Sequence, residues 1–314
     1  MARVCKRIAV FAISWLGASV LVFFTINALP GNVAEAILGT DATPERVAEL
    51  SAELGLDRPI WVRYLEWLGG VLHGDLGTTP LGHYQVSELL FPKLGVSLWL
   101  VGLGMLLALV IALPAGMFAA LRRRRASGVA VSALAEVGMA IPVFWGGIML
   151  VLVFAVWLRW LPANGYVPIT TNPASWASHL VLPVLTLGLV QAAVLIRYVR
   201  SAFIEVLHED YFRTARSIGW TQFRALIRHG LRNAAVSLST VAGLQFASAI
   251  VGAIVVEQVF TLPGVGSLLL SAVSTRDLVV VQGVVMFLVA AVLVINALVD
   301  ISYVLFDPRQ RSRA

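Results

Sequence analysis

Charge is scarce in this sequence. Only 13% of its 314 residues are Asp, Glu, Lys or Arg, about half the share usual in a soluble domain. Cysteine is nearly absent: Cys5 stands alone, so an internal disulfide is excluded, and no metal-ligand pattern surrounds it. His179, His208 and His229 are scattered, without a second ligand at metal spacing, which argues against a zinc site. No G-x-x-x-x-G-K-[ST] phosphate loop occurs and the pair Gly-Lys is missing altogether, so the chain is not expected to bind or hydrolyse ATP itself. A serine protease working between spans would need a base. The stretch "GVGSLLL" offers Ser267, but no histidine lies in a span that could face it. No catalytic residue, resident cofactor or metal is expected.

Apolar residues fill the space that charge leaves. They make up 59% of the chain, with a mean hydropathy of +0.87. About 20 apolar residues cross a bilayer as helix, and six runs qualify: 8–28, 94–121, 128–158, 178–196, 234–256 and 278–304. The fold class expected is an all-α membrane protein with six transmembrane helices. The second, third and sixth runs exceed the minimum, which implies tilt or a kink. Pro114, Pro142 and Pro183 fall inside runs. "MARVCKRIAVFAISW" starts like a signal peptide but lacks a small-residue cleavage site, and its apolar run is longer than the usual 7–15 residues. It reads as an uncleaved first span.

Orientation follows from the basic residues between runs. With a cytoplasmic N-terminus, that side receives 17 of the 23 Lys and Arg, including the run Arg122 to Arg125 and seven arginines between 197 and 232. Nine of the 17 acidic residues fall in the first loop on the opposite side. Both termini are then cytoplasmic. The arginines track the membrane faces, with some contact to anionic lipid, rather than forming a stripe with interleaved aromatics; a nucleic-acid partner is not expected.

The segments expected are a span over 1–30, an external helical piece over 31–93, a core over 94–306 and a tail over 307–314. In the external piece Thr43 caps a helix, Pro44 takes its first position and Gly55 stops it, with Val47, Leu50 and Leu54 on one face. "IWVRYLEWLGGVL" (60–72) places Trp61, Tyr64, Leu65 and Leu68 together, suited to the bilayer interface. The stretch 257–277 mixes apolar residues with glycine and proline and reads as re-entrant or a packed plug.

One stretch within the core is wet, basic and helical: "EDYFRTARSIGWTQFRALIRHGLRNA" (209–234). Phe212, Ala215 and Gly219 recur at helical spacing, with Tyr211, Thr214 and Ile218 alongside. A first helix ends at Gly219 in the left-handed conformation, and Thr221 caps a second. There Phe223, Leu226, Ile227, Gly230 and Leu231 form one face and Arg224, Arg228 and Arg232 another. Two readings fit this hook: an amphipathic surface helix whose arginines meet headgroups, or a docking element for a cytoplasmic partner.

The segment "DYFRTARSIGWTQFRALIRHGLRNA" resembles the "EAA" signature of permease subunits of ATP-binding-cassette importers, in the dipeptide/oligopeptide branch. "LVFFTINALPGN" (21–32), "GLDRPIWVRYLEWLGGVLHGDLG" (55–77), "VEQVFTLPGVGSLLLSAVSTRD" (256–277) and "DPRQR" (307–311) are similar to that branch too. Arg213 stands where many importer families place a Glu. The resemblance implies a type I importer permease fold in a bacterial inner membrane, with a coupling-helix loop over 201–233. It implies a homologous second permease, two ATPase subunits that bind ATP and magnesium, and an external solute-binding protein that delivers a peptide. Tyr211, Arg213, Thr214, Ala215, Arg216 and Gly219 are then the docking residues. Nickel, glutathione and haem are alternative cargoes of the same architecture.

Few polar residues lie inside the runs. Gln245 and Ser248 could line a polar path or bond to neighbouring helices, and Glu257 sits at the external end of the fifth run. Glu136 and Asp300 lie close enough to the cytoplasmic interface to snorkel or pair with a loop arginine. A stand-alone secondary transporter or channel would need ion-coupling carboxylates at mid-membrane or an inverted repeat, and neither is visible.

Overall fold

The computed structural model describes residues 2–28, 33–53, 55–80, 82 and 84–306. Thirteen α-helices follow one another among them: α1 (Ala2–Asn27), α2 (Val33–Leu38), α3 (Pro44–Glu53), α4 (Ile60–Leu72), α5 (Val86–Leu121), α6 (Ala126–Ala140), α7 (Val143–Leu150), α8 (Pro173–Val206), α9 (Asp210–Ser217), α10 (Gln222–Ala225), α11 (Leu231–Val259), α12 (Val265–Ser274) and α13 (Leu278–Phe306). The only extended pairing among the described residues is an isolated bridge, Thr78 to Gln85. Five helices are long and apolar enough to cross a membrane, and a bent pair makes six if it counts as one span.

That bent pair is the predicted third run. It is two helices, α6 and α7, turned by 102° at Ile141–Pro142. Pro142 has no N–H to continue the ladder and holds Ile141 in extended backbone. Pro114 and Pro183 lie within uninterrupted helices. A π-helical stretch, Val151–Trp157, then extends α7. The predicted fifth run also differs. No breaker separates it from the helix before it, so α10 passes through a π-helical turn, Leu226–Gly230, straight into α11.

The chain divides into two compact units. The first combines residues 1–95 with 263–294. Thr43 caps α3 as expected, and Gly55 (φ +64°) follows its end while the Leu56 amide reaches back to Ser51 O at 2.8 Å. The expected apolar face of α4 divides: Tyr64 turns inward against Phe23 with ring centres 5.4 Å apart, and its hydroxyl pairs with Ser19 Oγ at 2.9 Å, while Trp61 and Leu65 are exposed. The stretch expected to be a plug contains α12, an apolar helix with Val265 and Ala272 in the core of this unit. Beyond it Asp277 caps α13 by accepting the Val280 amide, and its other oxygen accepts the hydroxyl of buried Thr79.

The second unit, residues 96–262 with 295–314, is built around α8. In lipid, close backbone approach takes the place of hydrophobic drive between helices, and α8 is met closely on several sides. A Cβ on Gly188 would lie 3.0 Å from Gly104 O of α5, and one on Gly116 would lie 2.6 Å from Val199. Gly138 of α6 approaches Ala193 in the same way. These seams seat Leu187, Leu195, Val199 and Phe203 in one apolar core.

Gly188→Val overpacks the α5 seam. Its thermal midpoint in detergent is expected to fall, reflecting about 1–3 kcal/mol, while Gly102→Ala, where nothing lies within 4 Å of the added carbon, leaves it unchanged. Equal midpoints would refute the seam.

Candidate functional site

The hook forms as two helices joined at a capped corner. Helix α9 ends in a Schellman closure: the Trp220 amide donates to Ala215 O at 3.2 Å and the Gly219 amide to Arg216 O at 3.1 Å. Gly219 supplies the required left-handed backbone with φ +93°. Thr221 then caps α10, its hydroxyl oxygen accepting the Arg224 amide. Trp220 fixes the corner from both sides. Its carbonyl accepts Arg216 Nη1 at 2.7 Å, and the Arg228 guanidinium lies 5.7 Å from its ring centre.

The expected docking residues do not share one face. Ala215, 5% exposed, turns inward with Phe212. Tyr211, Arg213, Thr214, Arg216 and Gly219 are exposed. The face expected of the second helix divides as well, because the π-turn changes the angle between successive residues. Leu226 and Gly230 are buried, whereas Phe223 and Ile227 are exposed. The hook therefore leaves three apolar side chains outward: Ile218 at 71% exposed, Phe223 at 58%, and Ile227. Ile218 was not singled out for docking in the sequence. Its position directly before the left-handed glycine is the signal that could have found it, since a C-cap residue points away from the helix it ends. The one ion pair among the described residues of the hook, Asp210 to Arg213 at 3.7 Å, is open to solvent and adds little. The side chain of Arg232 lies outside the described residues.

The three polar residues expected near a path are also separated. Ser248 is exposed on α11, on a stripe with Leu244, Val251 and Val255, and Gln245 is half-buried beside it. Glu257 is 1% exposed and accepts the Ser97 hydroxyl from α5 at 2.5 Å. Glu136 is exposed on α6 and has no ion pair among the described residues. The side chain of Asp300 lies outside them. Among the described residues no group of His, Cys, Asp and Glu could hold a metal.

Residues 112–312 match the family described as the binding-protein-dependent transport system inner membrane component, and residues 1–98 match the N-terminal part of such membrane components. A Brucella abortus (strain 2308) protein named for a peptide transport system permease is 40% identical over 310 residues, 99% of both chains. The dipeptide transport system permease protein of Escherichia coli (strain K12) is 35% identical over 334 aligned positions, 99% of this chain and 98% of its own. Among solved structures, a chain of the MetNI methionine ABC transporter superposes with a TM-score of 0.57 at 18% identity, over 70% of this chain and 97% of that one. That last likeness concerns the fold alone.

Nothing crowds a side chain at Gly219, so substitution there tests backbone conformation rather than packing. In Gly219→Val, amide exchange at positions 219 and 220 is expected to quicken about tenfold, following the roughly 1–2 kcal/mol cost of a left-handed residue with a Cβ. Gly219→Asn changes it less. Identical exchange in all three would show that the corner is held some other way.

Proposed function

Because the chain belongs to the binding-protein-dependent transport system inner membrane component family, we propose that its exposed hook is the docking piece through which separate ATPase subunits drive it. The chain is a multi-pass inner-membrane protein and the permease subunit of an ATP-binding-cassette importer. It is the membrane component of such a system, not the ATPase. ATP and magnesium then bind on the partner subunits. A second, homologous permease completes the pathway, and an external binding protein delivers the cargo. The names of the relatives, one a dipeptide and one a peptide permease, favour a peptide over nickel, glutathione or haem.

One observation carries the docking reading. A cap-closed helical corner holds Ile218 and Phe223 away from the chain's own core. Exposed apolar side chains on an ordered support fit a protein partner's cleft, where a few such anchors supply most of the binding energy. Tyr211, Arg213, Thr214 and Arg216 surround them as the polar rim, Gly219 sets the angle, and Ala215 acts from beneath by seating α9. Closure of the ATPase pair on ATP brings the two hooks together, and the helices switch between inward-open and outward-open states about a central path. Ser248 and Gln245 line that path. Glu257, enclosed beside Ser97, fixes the end of α11 against α5 instead of meeting cargo. The arginine-rich loops and both termini are cytoplasmic.

Ile218→Asp with Phe223→Asp leaves the fold intact, because neither side chain packs in the core. Co-purification of the ATPase subunits is expected to drop more than tenfold, and peptide uptake with it. Undiminished association would end the docking reading. Uptake by this chain alone in liposomes, driven by an ion gradient, would instead favour a self-sufficient transporter.

A further inference from the structure

The bend at Pro142 leaves a groove in the second unit. Helix α7 turns away by 102°, and the space between α6, α7 and α8 is an open cleft of about 520 Å³. That volume falls in the range of roughly 300–1,000 Å³ typical of ligand sites. Its lining is almost wholly apolar. The only hydroxyl, Thr186, already donates to Leu182 O at 2.8 Å. Apart from the Trp145 indole N–H, the lining side chains offer a peptide's backbone amides no free partner, and unpaired amides in such a place are costly. A hydrocarbon chain needs none.

Helix α8 decides which molecule carries that chain. Its contribution to the lining is Ala192 together with Thr186, Leu189, Val190, Ala193 and Ile196, the last five a stripe at helical spacing. The same stripe continues into Arg197 and Arg200, the latter about 6 Å beyond Ile196 along the axis. Arg200 is half-buried, and its Nε is buried with no acceptor among the described residues. Arg197 is exposed and rests on the neighbouring Tyr198 ring at 5.0 Å. Exposed Arg124 and Arg125 stand at the same end, since Gly116 of α5 meets Val199 of α8 shortly before the connector that holds them. Arg123, by contrast, is engaged with His208 at 3.3 Å. The nearby carboxylate on α6, Glu136, sits about 100° around that helix from Ala135, on the flank opposite Leu134 and Gly138, which line the groove. The next carboxylate along α8, exposed Glu205, lies about 140° around the helix from Arg200, on another face.

We propose that this groove holds an acyl chain of an anionic phospholipid whose phosphate is bound by Arg197 and Arg200. An apolar trough ending in two guanidinium groups matches such a lipid end to end, with a charge-assisted, two-pronged contact for the phosphate. Bound there, the lipid braces the broken span against α8 on the arginine-rich side of the membrane.

The full chain, stripped of lipid in detergent, is titrated with phosphatidylglycerol and with phosphatidylcholine and followed by native mass spectrometry. Phosphatidylglycerol is expected to be retained at least tenfold more tightly. Arg197→Gln with Arg200→Gln removes that preference, and Arg197→Lys with Arg200→Lys keeps part of it, because the charge stays while the two-pronged contact is lost. Leu189→Trp, which fills the trough without touching the arginines, weakens retention of both lipids. Thermal midpoints within a few degrees of the parent confirm that each variant is folded. A photo-crosslinking residue at position 189 is expected to capture lipid in native membranes. Equal retention of the two lipids by the unaltered chain, preference surviving the double Gln change, or capture of another protein at position 189 would overturn the proposal. ATPase co-purification unchanged in the Gln variant separates this site from the hook.

Discussion

Close contact along α8 is the constraint on which the second unit depends. Lipid tails are as apolar as leucine side chains, so helices in a bilayer gain little by hiding apolar surface from them. What remains is the fit of one backbone against another. Gly104 and Gly188 let α5 reach α8, Gly116 lets it do so again about three turns later, and Gly138 brings α6 in. A helix held on several sides moves as a body, because packed interiors switch between arrangements more readily than they deform. The buried Phe203 and Val206 at its end lead directly into the turn before α9. In the docking role proposed for the hook, a push on it would reach α8 through that turn.

The proposed docking role requires a stiff corner in the hook. Its stiffness comes from small local devices: two reaching-back amides, one left-handed glycine, one threonine cap and a tryptophan held between two arginines. Each contributes about 1 kcal/mol or less, yet together they fix the angle between α9 and α10. The π-turn at Leu226–Gly230 joins that corner to α11 without a loop. Such turns sit in helices at positions of function more often than chance allows, and here the turn separates buried Leu226 from exposed Phe223 and Ile227.

These local devices were legible in the sequence because each depends on neighbouring residues alone. Thr43, Gly55, Gly219 and Thr221 occupy the positions that capping chemistry assigns them. The apolar runs were legible for the same reason, since hydrocarbon thickness sets their length. What escaped depends on tertiary choice. Of three prolines inside runs only Pro142 breaks its helix. Proline removes one donor wherever it sits, and whether neighbours absorb that loss is not written locally. The inward turn of Ala215 and the enclosure of Glu257 beside Ser97 likewise require knowing which helices meet.

Scarcity of charge gives weight to where charge is left unpaired. Among the described residues two ion pairs occur, Arg58 with Glu66 and Asp210 with Arg213, both open to solvent. Exposed pairs contribute little to stability, so the arginines are not what holds the fold together. Their other internal contacts are single ones, among them Arg216 with Trp220 O, Arg228 over the Trp220 ring and Arg123 with His208. A chain with so few charges that still sets arginines on α8, on the α5–α6 connector and along the hook leaves most of them exposed. The second unit rests on glycine seams and apolar packing rather than on ion pairs.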